Sequence, residues 1–221
     1  MMNKRPKYKT AGLPKAQGLY NPQNEHDACG VGMVVNIKNK ASYEIVSKGL
    51  SMLCNLEHRG AVGADPKAGD GSGLLIQIPH KFLKKKIEGN FLLPEIGNYA
   101  VGVIFMPKEK NDQEIIKNII EKKCLDEGFD ILGWRVCPTQ TGDLGWSVLP
   151  STPDVFQIFI KRPNTFKTQD DFERNLYILR RCIEESIVKI SKTLKEGFYI
   201  PSLSSRTILY KGMVLADQVG G

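Results

Sequence analysis

The chain has 221 residues and 24.7 kDa, with 41% apolar and 25% charged residues, the balance of a globular protein long enough to bury a substantial core. Its formal net charge of +7 comes from scattered lysines, densest at Lys81-Phe82-Leu83-Lys84-Lys85-Lys86. Lysines without a continuous stripe or a base-reading motif exclude a nucleic-acid partner, and no run approaches the roughly 18 apolar residues of a membrane helix.

Residues 1–28 read as an irregular leader, broken by Pro6, Gly12, Pro14, Gly18 and Pro22. Cys29 follows, at the mouth of the β-branched run Val31–Ile37, which predicts a strand. Ile45, Val46, Gly49, Leu50 and Leu53 recur at helical spacing and predict a helix over 42–56. Five glycines lie between residues 58 and 73, and strands are expected over 74–78 and 99–106. Ile115, Ile116, Ile119 and Ile120 mark a helix over 111–127, with strands over 130–136 and 155–161 after it. Phe172, Leu176, Leu179, Ile183, Ile187 and Ile190 define the longest helix. Two last strands, 197–201 and 206–210, are expected around a turn at Pro201-Ser202-Leu203-Ser204-Ser205. Trp134 and Trp146 are expected in the core. Strands and helices intersperse without a strict βαβ rhythm, which predicts a layered α/β architecture.

The five cysteines, Cys29, Cys54, Cys124, Cys137 and Cys182, are odd in number and show neither a C-x-x-C pair nor zinc spacing, so no metal is expected. The leader lacks the apolar core of a secretory signal. A reducing, cytoplasmic setting is expected, with Cys54 and Cys182 buried on helices.

Cys29 reads in two ways. As a free cysteine it is a small hydrophobe opening a strand. If the Ala28–Cys29 bond is cut, one residue carries a thiol, of pKa about 8.5, and an α-amine, of pKa about 7.7–8, a nucleophile and its base together. Glu57-His58-Arg59-Gly60 also reads in two ways. His58 and Arg59 suit the negative end of a helix dipole, with Gly60 in the left-handed position. Beside Cys29, the same residues would lower the thiol pKa and hold a substrate carbonyl, or His58 would pair with Cys29 in a dyad. The run Ala68-Gly69-Asp70-Gly71-Ser72-Gly73 is not a phosphate cradle, because it follows a helix and precedes a strand, the reverse of the order that aims a helix N-terminus at phosphate. Its glycines are read as sites of close backbone approach or positive φ.

Asn24-Glu25-His26-Asp27-Ala28-Cys29-Gly30-Val31-Gly32, Leu53-Cys54-Asn55-Leu56-Glu57-His58-Arg59-Gly60-Ala61-Val62-Gly63-Ala64-Asp65-Pro66 and Gly69-Asp70-Gly71-Ser72-Gly73 together resemble the amino-terminal part of the glutamate synthase large subunit, a class II glutamine amidotransferase domain of the N-terminal-nucleophile hydrolases. The likeness continues through Gly133-Trp134-Arg135, Phe172-Glu173-Arg174-Asn175, Ser202-Leu203-Ser204-Ser205-Arg206-Thr207 and Tyr210-Lys211-Gly212-Met213. It implies an αββα sandwich of two mainly antiparallel sheets between helices, incomplete on its C-terminal side, with a removable leader at 1–28 and the amidotransferase domain at 29–221. It implies that Cys29 attacks the glutamine side-chain amide, ammonia leaves and water frees glutamate from a thioester, with Arg59, Gly60 and His58 beside the nucleophile. The implied partners are glutamine and the remaining glutamate synthase domains or subunits. No cofactor is implied for this chain, since FMN and an iron–sulfur cluster belong to the rest of the parent enzyme.

One departure stands out. The family's Arg-Phe-Ser-Thr-Asn-Thr glutamine-binding phrase and its oxyanion-hole His-Asn-Gly phrase are both absent from the chain. Losing one oxyanion donor costs about 10²–10³ in rate, so the polypeptide alone is expected to be a poor glutaminase. A non-catalytic module that keeps the fold and an unrelated Cys29/His58 hydrolase are the competing expectations.

Overall fold

The computed structural model describes residues 15–18, 21, 30–57 and 64–220, except the side chains of residues 192 and 193. In chain order these form α1 (Tyr43–Asn55), β1 (Ser72–Gln77), α2 (His80–Lys86), β2 (Tyr99–Met106), α3 (Lys110–Asp126), β3 (Ile131–Val136), β4 (Asp154–Lys161), α4 (Gln169–Ile190), α5 (Lys192–Glu196), β5 (Tyr199–Ser204) and β6 (Thr207–Gly212). Two antiparallel sheets result, one of four strands in the order β3-β4-β2-β5 and one of two, β1-β6.

The layering follows from side-chain alternation along β2 and β4. Ala100, Ile104 and Met106 of β2 and Phe156, Ile158 and Ile160 of β4 face one way, onto Ile116 and Ile120 of α3 and Phe172, Leu176 and Leu179 of α4. Tyr99, Val101 and Val103 with Phe159 face the other way, onto Ile208 of β6 and onto Leu83 and Ile87 in and just after α2. Two antiparallel sheets with flanking helices are the sandwich that the sequence implied.

Local chemistry explains the helices. The Thr168 side chain accepts from Asp171 N–H while the Asp171 carboxylate accepts from Thr168 N–H, a capping box that starts α4. Buried residues then recur at 172, 176, 179, 183 and 187. At the start of α3, buried Gln113 donates to Pro107 O at 2.7 Å and to the Asp154 carboxylate at 2.8 Å. Lys108 pairs with the same carboxylate at 2.7 Å, so α3, the end of β2 and the start of β4 meet at one charged knot.

Several expectations need correction. Val31–Ile37 forms no strand: Val31, Met33, Val35 and Ile37 are 88%, 81%, 64% and 99% exposed, and β1 finds its ladder partner in β6. β-branched residues favour a pleated, half-buried surface, and without a ladder that preference has nothing to act on. The last turn is shorter than expected, because Pro201 to Ser204 belong to β5 and only Ser205 and Arg206 turn the chain. The Glu173 carboxylate imposes this, accepting from Ser204 Oγ at 2.9 Å, Ser205 N at 2.6 Å and Ser205 Oγ at 2.5 Å. Trp146 is 69% exposed rather than in the core. The lysine cluster is the short helix α2, anchored by Leu83. Cys54 is exposed and Cys182 only partly covered, whereas Cys124 is the buried one, because Cys54 falls on the solvent side of α1 and Cys182 beside, not on, the buried stripe of α4.

Asp65 ties the stretch before β1 to the distant 145–148 turn. Its buried carboxylate accepts from Ser147 N at 2.8 Å, Ser147 Oγ at 2.7 Å and Lys67 N at 3.1 Å. The bond from the Ser147 backbone N–H is the main cause that holds its pKa below the ordinary aspartate value.

Two outcomes are expected from these contacts. Leu176→Ala, at a fully buried position on α4, should lower unfolding stability by about 2–5 kcal/mol in urea titrations; a loss under about 1 kcal/mol would contradict this packing. Asp65→Asn should lower the thermal midpoint at pH 7. A depressed carboxylate stabilises above its unfolded pKa, near 3.9, and loses that contribution as pH falls toward the folded value. The gap between variant and parent should therefore narrow as pH drops below about 4, and a pH-independent gap would refute the charge-based account.

Candidate active site

A cleft of about 930 Å³ opens between residues 30–34, α1, the start of β1 and the end of β6. Gly30 and Gly32 form one wall, and Ile45, Gly49, Met52, Leu53 and Leu56 of α1 and its end form a second. Asp70, Gly71, Ser72 and Gly73 lead into β1 opposite Lys211 and Gly212 of β6. The lining is mostly aliphatic, with Asp70, Ser72, Tyr199 and Lys211 as its polar side chains.

The glycine run performs the backbone role that the sequence assigned it. Gly71 has φ +118°, a conformation that side-chain-bearing residues avoid. A Cβ on Gly73 would lie 2.7 Å from Lys211 Cβ and 2.9 Å from Tyr210 O, so a side chain there would push β1 off β6. The order helix, glycines, strand is observed.

Of the sequence-predicted site residues, Cys29, His58, Arg59 and Gly60 lie outside the described residues. Their chain neighbours converge. Gly30, which follows Cys29, and Leu56, two residues before His58, line the same cleft. Glu57, two residues past the end of α1, and Asp65, which begins the latch to Ser147, flank the stretch that holds His58, Arg59 and Gly60 in the chain.

Sequence reasoning missed the β6 contribution. Lys211 reaches Tyr199 OH at 3.1 Å and sits 4.5 Å from the Tyr199 ring centroid, so its cation is held over an aromatic face at the cleft border. Only the Tyr210-Lys211-Gly212-Met213 phrase hinted at this, and nothing in its local pattern says that the strand pairs with β1, some 135 residues earlier. A second hollow, of about 1000 Å³, lies next to the first and shares Phe105, Tyr199, Lys211, Gly212 and Met213 with it.

Among the described residues, no three His, Cys, Asp or Glu side chains gather as a metal site. Burial raises the Cys124 thiol to about 12 and pushes Cys137 above its ordinary value against the opposing effect of Arg135. Both stay protonated near neutral pH and make poor nucleophiles. No described helix is long and apolar enough to cross a membrane.

Comparison with known proteins adds the family. The model of the class-II glutamine amidotransferases matches residues 29–221. The chain is 44% identical over 207 residues to the glutamate synthase [NADPH] large chain of Bacillus subtilis, covering 94% of this chain and 13% of that protein. It is 40% identical over 207 residues to the chloroplastic ferredoxin-dependent glutamate synthase of Oryza sativa subsp. japonica, covering 93% and 13%. It is 39% identical over 219 residues to the glutamate synthase [NADH] of Saccharomyces cerevisiae, covering 94% and 10%. The chain thus spans about an eighth or less of the length of these relatives. With a family match that runs from Cys29 through the cleft-lining strands to residue 221, the chain belongs to the class-II glutamine amidotransferases.

Proposed function

We propose that this chain is the glutaminase unit of a glutamate synthase, converting glutamine to glutamate and ammonia, the ammonia being destined for 2-oxoglutarate in the remaining domains. One observation carries the reading. The family match starts at Cys29, and the next residue, Gly30, lines a cleft large enough for a small amino acid.

In this reading the leader is removed at Ala28–Cys29, which frees the α-amine. The amine takes the thiol proton, and the thiolate attacks the side-chain carboxamide carbon. The carbon–nitrogen bond breaks, the amine returns the proton, and ammonia departs from a γ-glutamyl thioester. Water attacks the thioester, the carbon–sulfur bond breaks, and glutamate leaves with the thiol restored. The reading sets Arg59, Gly60 and His58 beside the nucleophile, and it is supported by Leu53 and Leu56, near the end of α1, lining the same cleft as Gly30. Gly30, an exposed glycine on the cleft, supports the reading, since main chain there is open to a substrate, while Gly73 lets β1 close tightly on β6 to form the facing wall.

FMN and an iron–sulfur cluster belong, on this proposal, to the other domains. The four described cysteines are free and no described cluster suits a metal, so the described residues do not fit an iron–sulfur centre and no step passes through one. Work inside the cell's reducing compartment is part of the same proposal.

The test treats the chain, and any longer polypeptide its gene encodes, with the diazoketone analogue of glutamine and maps the modified peptides. The expected result is a mature N-terminus at Cys29 carrying one adduct, with Cys29→Ala unmodified and devoid of glutaminase activity. An intact leader with no adduct would overturn the reading in favour of a scaffold. Adduct formation that needs His58 while the leader remains attached would favour a Cys/His hydrolase instead.

A further inference from the structure

A run of hydrogen-bonded side chains crosses from the four-stranded sheet to the cleft-bearing one. Arg135 on β3 donates through Nη1 to Gln157 Oε1 on β4 at 2.8 Å, and Gln157 Nε2 donates to Tyr210 OH on β6 at 3.2 Å. Arg135 and Gln157 are register partners, and Gln157 is fully buried. The same Arg135 Nη1 approaches Cys137 Sγ at 3.5 Å. The polarity of the run is forced. A guanidinium has donors only, so Gln157 must present its carbonyl to Arg135 and its NH₂ to Tyr210. The amide assignment, ambiguous for an isolated glutamine, is settled by the cation beside it.

The run continues through the main chain. Tyr210 is in register with Leu74, and Lys211 with Gly73. Gly73 rests on the Tyr210–Lys211 peptide so closely that a Cβ would lie 2.9 Å from Tyr210 O. Gly73, Lys211 and Gly212 then line the cleft beside Gly30. A two-stranded ribbon is marginal by itself, so the position of this wall depends on what grips β6. Ser202 Oγ accepts from Leu209 N–H at 3.1 Å and Lys211 reaches Tyr199, both on β5. Gln157, itself fully buried, supplies the grip from β4, where low local dielectric strengthens the bond.

We propose that Gln157 is a positioning residue for glutamine hydrolysis. Oriented by Arg135, it holds Tyr210, and through it the β1–β6 wall, at a fixed distance from Gly30, touching neither substrate nor nucleophile. The inference rests on the glutaminase reading above. A small displacement of a wall beside reacting atoms acts on the chemical step more than on capture of the substrate, because near-attack geometry is steep in distance.

The experiment measures alkylation of Cys29 by the diazoketone analogue, as limiting rate and half-saturating concentration, in the longest polypeptide that carries this domain. Gln157→Met keeps the volume and removes both hydrogen bonds. Gln157→Glu keeps an acceptor for Arg135 and offers Tyr210 a carboxylate to donate to, so the bridge survives with its second bond reversed. The limiting rate of Gln157→Met should fall about tenfold or more while half-saturation moves less than about threefold, and Gln157→Glu should recover to within about threefold of the parent. Should Gln157→Met not fold, Arg135→Met carries the test, since it leaves the Gln157 side chain but removes its orientation; the same split is expected, with a smaller loss. A parent-like limiting rate in Gln157→Met, or equal losses in the Met and Glu variants that track thermal midpoint alone, would overturn the positioning role. A parent that takes no adduct overturns the glutaminase reading and the positioning role together, whereas a reactive parent with an equally reactive Gln157→Met overturns the positioning role alone.

Discussion

β2 has no polar face, and the rest of the molecule is arranged around that fact. Seven of its eight residues are buried, and Phe105 is partly so. A strand apolar on both sides must be covered on both sides. β4 and β5 satisfy its backbone, α3 and α4 cover one face, and β6 with α2 covers the other. The second cover is the one that shapes the candidate site. It places β6, hence β1, opposite a firmly seated strand, and the cleft lies along that smaller sheet.

Apolar cover alone does not fix where a sheet sits, because cores tolerate repacking when volume is kept. Directional bonds supply the missing precision. Gln113 joins α3 to β4, Glu173 joins α4 to the β5–β6 turn, Asp65 joins the stretch before β1 to the 145–148 turn, and Gln157 joins the two sheets. Each links segments more than thirty residues apart in the chain, apart from none of them leaving a loose end. Among the described residues, no buried side-chain nitrogen or oxygen lacks a partner. A half-satisfied network would cost more than an apolar core, so these ties specify one arrangement over its neighbours.

How much of this was legible in the sequence depended on the range of the interaction. α4 was plain because its buried stripe at 172, 176, 179, 183 and 187 and its Thr168 cap are local. β2 was plain because its apolar run is continuous. The end of β5 was misjudged because Pro201 and three serines resemble a turn, while the carboxylate that shapes the real turn comes from Glu173, on another element. Val31–Ile37 was misjudged because strand propensity is realised only in a ladder, and pairing is a long-range property. Trp146 illustrates the same limit, since aromatic character says nothing about which side of a loop faces water. The site divided in the same way. Phrase likeness pointed to Cys29, His58, Arg59 and Gly60, but the role of β6 emerged only from the register that sets Gly73 against Lys211.

On the proposed function, that register bears on why the site would need so little else. When thiol and amine share one residue, covalent geometry sets the distance between nucleophile and base, and the fold is relieved of bringing two side chains together. What remains is to place a substrate carbonyl against that single residue. Placement of this kind is done by main chain and by walls that do not yield. The cleft has both: exposed main chain at Gly30, and a ribbon whose glycines at 71 and 73 let β1 close on β6 and which is held against the central sheet by aliphatic packing and by the Gln157 bridge. On the proposed function, the demand on this domain is therefore stiffness of the wall more than assembly of a constellation, and the buried polar ties are where that stiffness resides.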